Sequence, residues 1–159
     1  MKRFMLAILL LSACVFSSCS IKKLRPSDYT ELNCAPGITL SLSNISPAGL
    51  TYEIANSSGK PCFFGEQYEV ERYIYEKWYK IELPPGVDYG WSYVLFVIEN
   101  GLSRGYNIDW QYYYGELPAG KYRLVKQMMH DDYYKPDNIY YLAAEFEITP
   151  RALRFYEDE

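Results

Sequence analysis

The sequence predicts an all-β antiparallel sandwich of about seven to eight strands, preceded by an export signal. Three observations carry this. Apolar residues recur at every second position after residue 36, turn residues interrupt them at short intervals, and 18% of the 159 residues are aromatic. Tyrosine alone supplies 18 of them, against 7 Phe and 3 Trp. A tyrosine packs its ring on a pleated surface and keeps its hydroxyl wet, so the excess favours strands. With 49% hydrophobic and 23% charged residues, the chain can bury one core without metals or many disulfides.

The first twenty residues read as an address. Lys2 and Arg3 form a positive start, Phe4 to Leu11 an uncharged apolar run too short to span a bilayer, and small residues follow. Leu11-Ser12-Ala13-Cys14 and Phe16-Ser17-Ser18-Cys19 both end in a cysteine that a lipoprotein signal peptidase would leave at the new N-terminus. Cys14 has the better tetrapeptide, but cleavage there leaves an unusually short signal of 13 residues. Lipidation at Cys19 also leaves an even pair, Cys34 and Cys62. Cys19 is therefore the expected lipid carrier, with Cys14 the alternative. The expected organisation is a signal peptide over 1–18, a tether over 19–36, a sandwich over 37–150 and an acidic tail over 151–159. The acyl chains would hold the protein to the cell membrane on its extracytoplasmic side.

The strands follow in order. Ile38, Leu40 and Leu42 alternate with Thr39 and Ser41, and after Ser46-Pro47-Ala48-Gly49 the pattern resumes at Leu50, Tyr52 and Ile54. Asn56-Ser57-Ser58-Gly59 is a turn cluster. Residues 67–83 read as two strands around a turn near Tyr75-Glu76-Lys77; Glu and Lys also suit a helix, but five aromatic and three β-branched residues favour strand. Pro84-Pro85-Gly86 ends them. Residues 91–98 form a nearly continuous apolar run, fitting a buried strand or a linking segment, and Gly101 to Gly105 reads as a loop. Leu117-Pro118-Ala119-Gly120 is a tight turn into a strand over 121–127. Residues 130–138 form a further loop. Tyr140, Leu142, Ala144, Phe146 and Ile148 then show the cleanest alternation in the chain.

Taken in that order, GLTYEIANSSGK, GEQYEVER, KWYKIE, IDWQYYYGELPAGKYRLVK and YYLAAEFEI resemble the bacterial Ig-like domain of exported proteins and lipoproteins, over residues 38–149. The resemblance implies an Ig-like sandwich serving as a surface module without catalysis. Its most specific piece is Tyr114 to Arg123. Within it, Gly120 is expected to supply a positive φ, and Tyr122 to hydrogen-bond back across the corner. Trp78 and Trp110 are expected in the core. The Cys34 and Cys62 pair is not part of the resemblance. It encloses 27 residues and reads either as a disulfide stabilising by about 3 kcal/mol or as two free thiols.

Little in the sequence offers chemistry. The formal charge is −4, or −6 once Lys2 and Arg3 are removed, which does not suit nucleic acid or an anionic membrane surface. His130 is the single histidine and reads as a loop residue. No nucleophile motif accompanies it, and zinc would need more Cys or His ligands. Asp131, Asp132, Asp137 and Asn138 match no calcium-loop spacing. No catalytic residue, metal or cofactor is expected. The candidate binding surface is the tyrosine set Tyr112, Tyr113, Tyr133, Tyr134 and Tyr141, since neighbouring strand residues face opposite ways and one ring of each run should point outward. The expected role is contact with an envelope protein, or a structural role there. The alternatives are a glycan or peptidoglycan module stacking sugars on Tyr and Trp, and an Ig-like proteinase inhibitor presenting the 130–138 loop.

Overall fold

Strand β9 (Gly120–His130) organises the molecule in the computed structural model, which describes residues 24–84, 86–87, 90–92, 94–130 and 138–150. Along one edge it pairs antiparallel with β10 (Ile139–Ile148), from Gly120–Ile148 to Met129–Ile139. Two shorter strands share its other edge, β5 (Glu69–Ile74) on its first half and β4 (Cys62–Gly65) on its end. β6 (Lys77–Ile81) and β1 (Leu24–Pro26) extend the sheet beyond β5, and β7 (Leu95–Ile98) extends it beyond β4. A second sheet of β2 (Ile38–Ser43), β3 (Gly49–Asn56) and β8 (Ser103–Asp109) faces the first. A single helical turn, α1 (Gln111–Tyr114), joins β8 to the 115–119 turn.

The period-2 pattern explains which side chains fill the space between the sheets. β3 contributes Leu50, Tyr52 and Ile54; β9 contributes Tyr122, Leu124 and Met128; β10 contributes Leu142, Phe146 and Ile148; all are buried. Trp110 is fully buried, its indole Nε1 donating to the Pro47 carbonyl at 2.7 Å and its ring stacked on Phe146. At the corner before β9, Tyr122 Oη donates to the Pro118 carbonyl at 2.6 Å, fixing the entry of the central strand.

Several elements differ from the sequence expectation, each for a physical reason. Residues 24–36 do not hang free as a tether. β1 pairs with β6, Ser27 N donates to the Trp78 carbonyl, and Asn33 N donates to the Tyr141 carbonyl on the outer edge of β10. This strap crosses the outer face of the first sheet and covers a buried ion pair, Glu71–Arg123 at 2.6 Å. Trp78 is not a core residue. It lies half-buried on that same outer face with the Arg123 guanidinium 4.4 Å above its ring. The strand β4 sits in a stretch the alternation did not single out. β8 begins at Ser103 inside the expected loop, because pairing with Ala55 and Ile54 outweighs weak local propensity. Among the described residues of 91–98, the strand is Leu95–Ile98. His130 closes β9 instead of opening a loop, and is buried against Tyr140. The β5–β6 turn is a two-residue hairpin with Tyr75 and Glu76 at φ 50° and 64°, the twist-matched kind that ordinarily favours Gly or Asn. Gly120 has the expected positive φ, at 158°, and already pairs with Ile148 as the first residue of β9.

The Tyr122 bond makes a clean test of the corner. Tyr122→Phe keeps the ring packing and removes one hydrogen bond, so chemical denaturation should show a loss of about 1 kcal/mol. An unchanged midpoint would mean that the corner does not hold β9.

Candidate functional site

The expected site residues do not converge on one place. Cys14, Cys19, Tyr133 and Tyr134 lie outside the described residues, as do the signal, the acidic tail and most of the 130–138 loop. Cys34 and Cys62 are both free thiols, which corrects the disulfide alternative. Cys34 is exposed on the strap, while Cys62 is fully buried in β4 between β7 and β9. Burial pushes the Cys62 thiol up to about 11, so it stays protonated and unreactive at neutral pH.

Tyr112 and Tyr113 do not alternate as strand residues, because Gln111–Tyr114 is a helical turn whose first amide is held by Asp109 Oδ1 at 2.8 Å. Tyr112 is exposed, Tyr113 half-buried and Tyr114 buried. Tyr141 is on the other side of the first sheet, its ring centroid 4.8 Å from that of Tyr29 in the strap. Burial and the neighbouring Glu69, which accepts its hydroxyl at 2.9 Å, raise the Tyr29 phenol above its usual range, so Tyr29 remains a neutral donor.

Trp91 brings rings together. It lies between Tyr68 and Tyr113, at 5.1 and 5.3 Å between centroids, and Tyr112 continues the row at 5.2 Å from Tyr113. Two clefts meet at Trp91 and Tyr68. One, of about 320 Å³ on the outer face, reaches Tyr29 and Tyr141, with Lys80 hydrogen-bonded to Glu69 on its wall. The other, of about 240 Å³, opens between the sheets. Its rings are Tyr52, Tyr68, Trp91, Phe96, Tyr106 and Tyr113, and its polar groups are Glu66, Asn107 and Asp109. Tyr52 and Tyr106 stack at 5.6 Å, and Phe96 lies 5.1 Å from Tyr106. Burial raises the Tyr52 phenol, with the nearby Tyr106 and Glu66 adding to the effect. The arrangement offers ring faces and carboxylate acceptors to a ligand.

One wall rests on Lys126, a residue the sequence reading did not single out. Its signal was there: Lys126 shares the inward phase of Tyr122, Leu124 and Met128. Its side chain is completely buried, and Nζ donates to the carbonyls of Gly65, Glu66 and Gln67 at 2.8, 3.2 and 2.7 Å. It also sits 5.1 Å from the Tyr52 ring centroid and 5.5 Å from that of Phe64. Burial lowers its pKa to about 7, partly opposed by Glu66. Elsewhere among the described residues, no group of three His, Cys, Asp or Glu is placed to hold a metal, and no helix is long and apolar enough to cross a membrane.

This two-sheet architecture with its tyrosine corner defines an Ig-like sandwich. A family model of the bacterial Ig-like domain matches residues 35–147, and the chain belongs to that family. No curated protein matches the chain.

The depressed pKa of Lys126 carries a sign. The unfolded lysine keeps its proton to about pH 10.5, while the folded one releases it near 7, so stability rises with pH between those values. Cys62 opposes this only from about pH 9, where the unfolded thiol begins to ionise. Urea denaturation should therefore give a stability about 1–2 kcal/mol higher at pH 8.5 than at pH 7. In Lys126→Met that slope should vanish, and a slope of the same size in the variant would remove Lys126 as its source.

Proposed function

We propose that the chain is a lipid-anchored Ig-like module on the extracytoplasmic side of the cell membrane that holds an envelope protein by non-covalent contact. One observation carries the contact surface. Val97, Phe63, Met129 and Ile139 fall in register across β7, β4, β9 and β10, all on the outer face of the first sheet. Val97 is 39% exposed, and Leu95 and Val94 beside it are 39% and 48% exposed. A shallow depression of about 210 Å³ between Leu95, Val94, Gln127 and Met129 adjoins the row. Contiguous apolar surface of this kind suits a protein partner, and among the described residues β7 is the last strand of its sheet, an edge to which a partner strand can add.

A glycan reading has its own support in the row of rings around Trp91, which combines stacking faces with Asn107 and Asp109 as planar polar groups. The proteinase-inhibitor reading depends on a loop that lies mostly outside the described residues.

Two measurements test the proposal. The parent chain should incorporate labelled fatty acid, and Cys19→Ser should abolish that incorporation. Loss in Cys14→Ser alone assigns the lipid to Cys14, and no incorporation into the parent chain excludes a lipid anchor. A photo-crosslinking residue at position 97 should trap a discrete protein in living cells, whereas the same residue at Thr39 on β2 should not. Identical patterns from both positions would argue against the β7 face.

A further inference from the structure

The cleft between Trp91 and Tyr106 has a chemistry independent of the β7 face. Three features define it. First, ring faces come from both sides: Tyr52, Tyr106 and Phe96 from β3, β8 and β7, and Tyr68, Trp91 and Tyr113 from the connections opposite. A ring face carries negative partial charge and attracts a cation within about 6 Å of its centroid. Second, the polar lining carries formal charge of one sign. Glu66 and Asp109 are carboxylates, Asn107 is neutral, and no Lys, Arg or His is among the described lining residues. Neither carboxylate has an ion-pair partner among the described residues; Asp109 Oδ1 accepts only the Gln111 amide that starts α1. Third, the volume of about 240 Å³ falls below the roughly 300–1,000 Å³ of pockets that enclose a whole drug-sized molecule. The cleft therefore suits one head group, with the remainder of its bearer outside.

The adjoining cleft shows that this polarity is specific to one side of Trp91. There the acid on the wall, Glu69, is already paired with Lys80 and bonded to Tyr29. A neutral sugar can stack on rings in either cleft and donate its hydroxyls to the polar groups there, without needing a charge of either sign. A cation gains from the carboxylates of only one.

Lys126 is the nearest buried cation, and it acts from behind the wall. Its ammonium is fully buried, with all three of its protons given to the Gly65, Glu66 and Gln67 carbonyls. Burial also leaves it only partly charged near neutrality. It thus holds the segment bearing Glu66 and Tyr68 in place while opposing a second cation weakly.

We propose that the Trp91–Tyr106 cleft binds a ligand bearing an ammonium group, held between ring faces and neutralised by Glu66 and Asp109. The assignment rests on this cleft being a binding surface, and not on the β7 contact or on the lipid anchor.

The test compares choline with 3,3-dimethylbutan-1-ol, which has the same shape and no charge. Purified full chain is titrated with each, reading the Trp91 indole N–H resonance, assigned by its loss in Trp91→Phe. Choline should bind at least about tenfold more tightly than the alcohol, the scale expected of a cation moved from water onto ring faces. Glu66→Gln with Asp109→Asn keeps the shape of both side chains, and the amide oxygen introduced at position 109 can still accept the Gln111 N–H. This variant should bring choline down to the affinity of the alcohol and leave the alcohol unchanged. Should the pair fail to fold, Glu66→Gln alone should reduce the preference at least threefold. Equal affinity of the parent protein for the two ligands overturns the ammonium assignment while leaving the cleft as a contact surface. A Trp91 resonance unmoved by either ligand and by cell-wall fragments removes the cleft as a binding surface altogether.

Discussion

The ammonium of Lys126, bonded to three consecutive main-chain carbonyls, is the contact on which the middle of this molecule depends. β4 and β5 both pair with the same edge of β9, so the chain between them must leave the sheet and return within a few residues. The carbonyls of Gly65, at the end of β4, and of Glu66 and Gln67 in that detour converge on the Lys126 ammonium. Buried carbonyls without donors are costly, and Lys126 supplies all three donors from the strand both segments share. The cost appears in the lysine itself, whose proton is held far less tightly than in water. The same detour places Glu66 and Tyr68 at the mouth between the sheets, so the cleft beside Trp91 follows from a problem of strand order.

A related logic governs the outer face. Glu71 and Arg123 point away from the core, yet Glu71 is completely buried because the 24–36 strap lies over it. Ser27 Oγ accepts from Arg123 and Tyr29 Oη donates to Glu69, so polar contacts to charged groups on β5 and β9 add to the main-chain bonds that tie the strap to β6 and β10. One carboxylate oxygen, Glu71 Oε1, has no hydrogen-bond partner among the described residues. Such a buried pair is weak as a source of stability and constrains the register of β5 on β9, since a slip of one strand past the other would separate the two charges beneath the strap. The strap follows closely on the segment that carries Cys14 and Cys19, so the first described contact of the domain lies on the side of its proposed anchor.

The strands with strict alternation were legible from residue types alone. β2, β3 and β10 follow period-2 patterns whose inward residues are those the pattern places inside, whereas β5, β6 and β9 were legible as strands although Trp78 on β6 faces outward and Lys126 on β9 faces inward. The elements that were not legible are those whose pairing is wholly non-local. β4 is four residues long, β8 contains Gly105 and the polar Ser103, Arg104 and Asn107, and β1 is three residues long and ends in Pro26; none is long or regular enough to show a period. The tyrosine set split for a similar reason. A helical turn at Gln111–Tyr114 rotates successive rings by about 100° instead of the 180° of a strand. Tyr112 therefore reaches solvent and Tyr114 the core, while Tyr141 belongs to another face.

Taken alone, the order of residues determined that this chain builds facing β layers and turns a tyrosine corner at Pro118 to Tyr122, because periodicity and turn chemistry act over a few neighbours. It also placed Lys126 on the inward side of its strand, although only the folded chain shows the three carbonyls that make that position tolerable. Tertiary structure alone decided the aromatic cleft, the apolar row from Val97 to Ile139, the burial of Glu71 and the separation of Cys34 from Cys62. Each of these joins residues from strands far apart in the chain, and their proximity is set by which strand lies beside which, a quantity that no local pattern encodes.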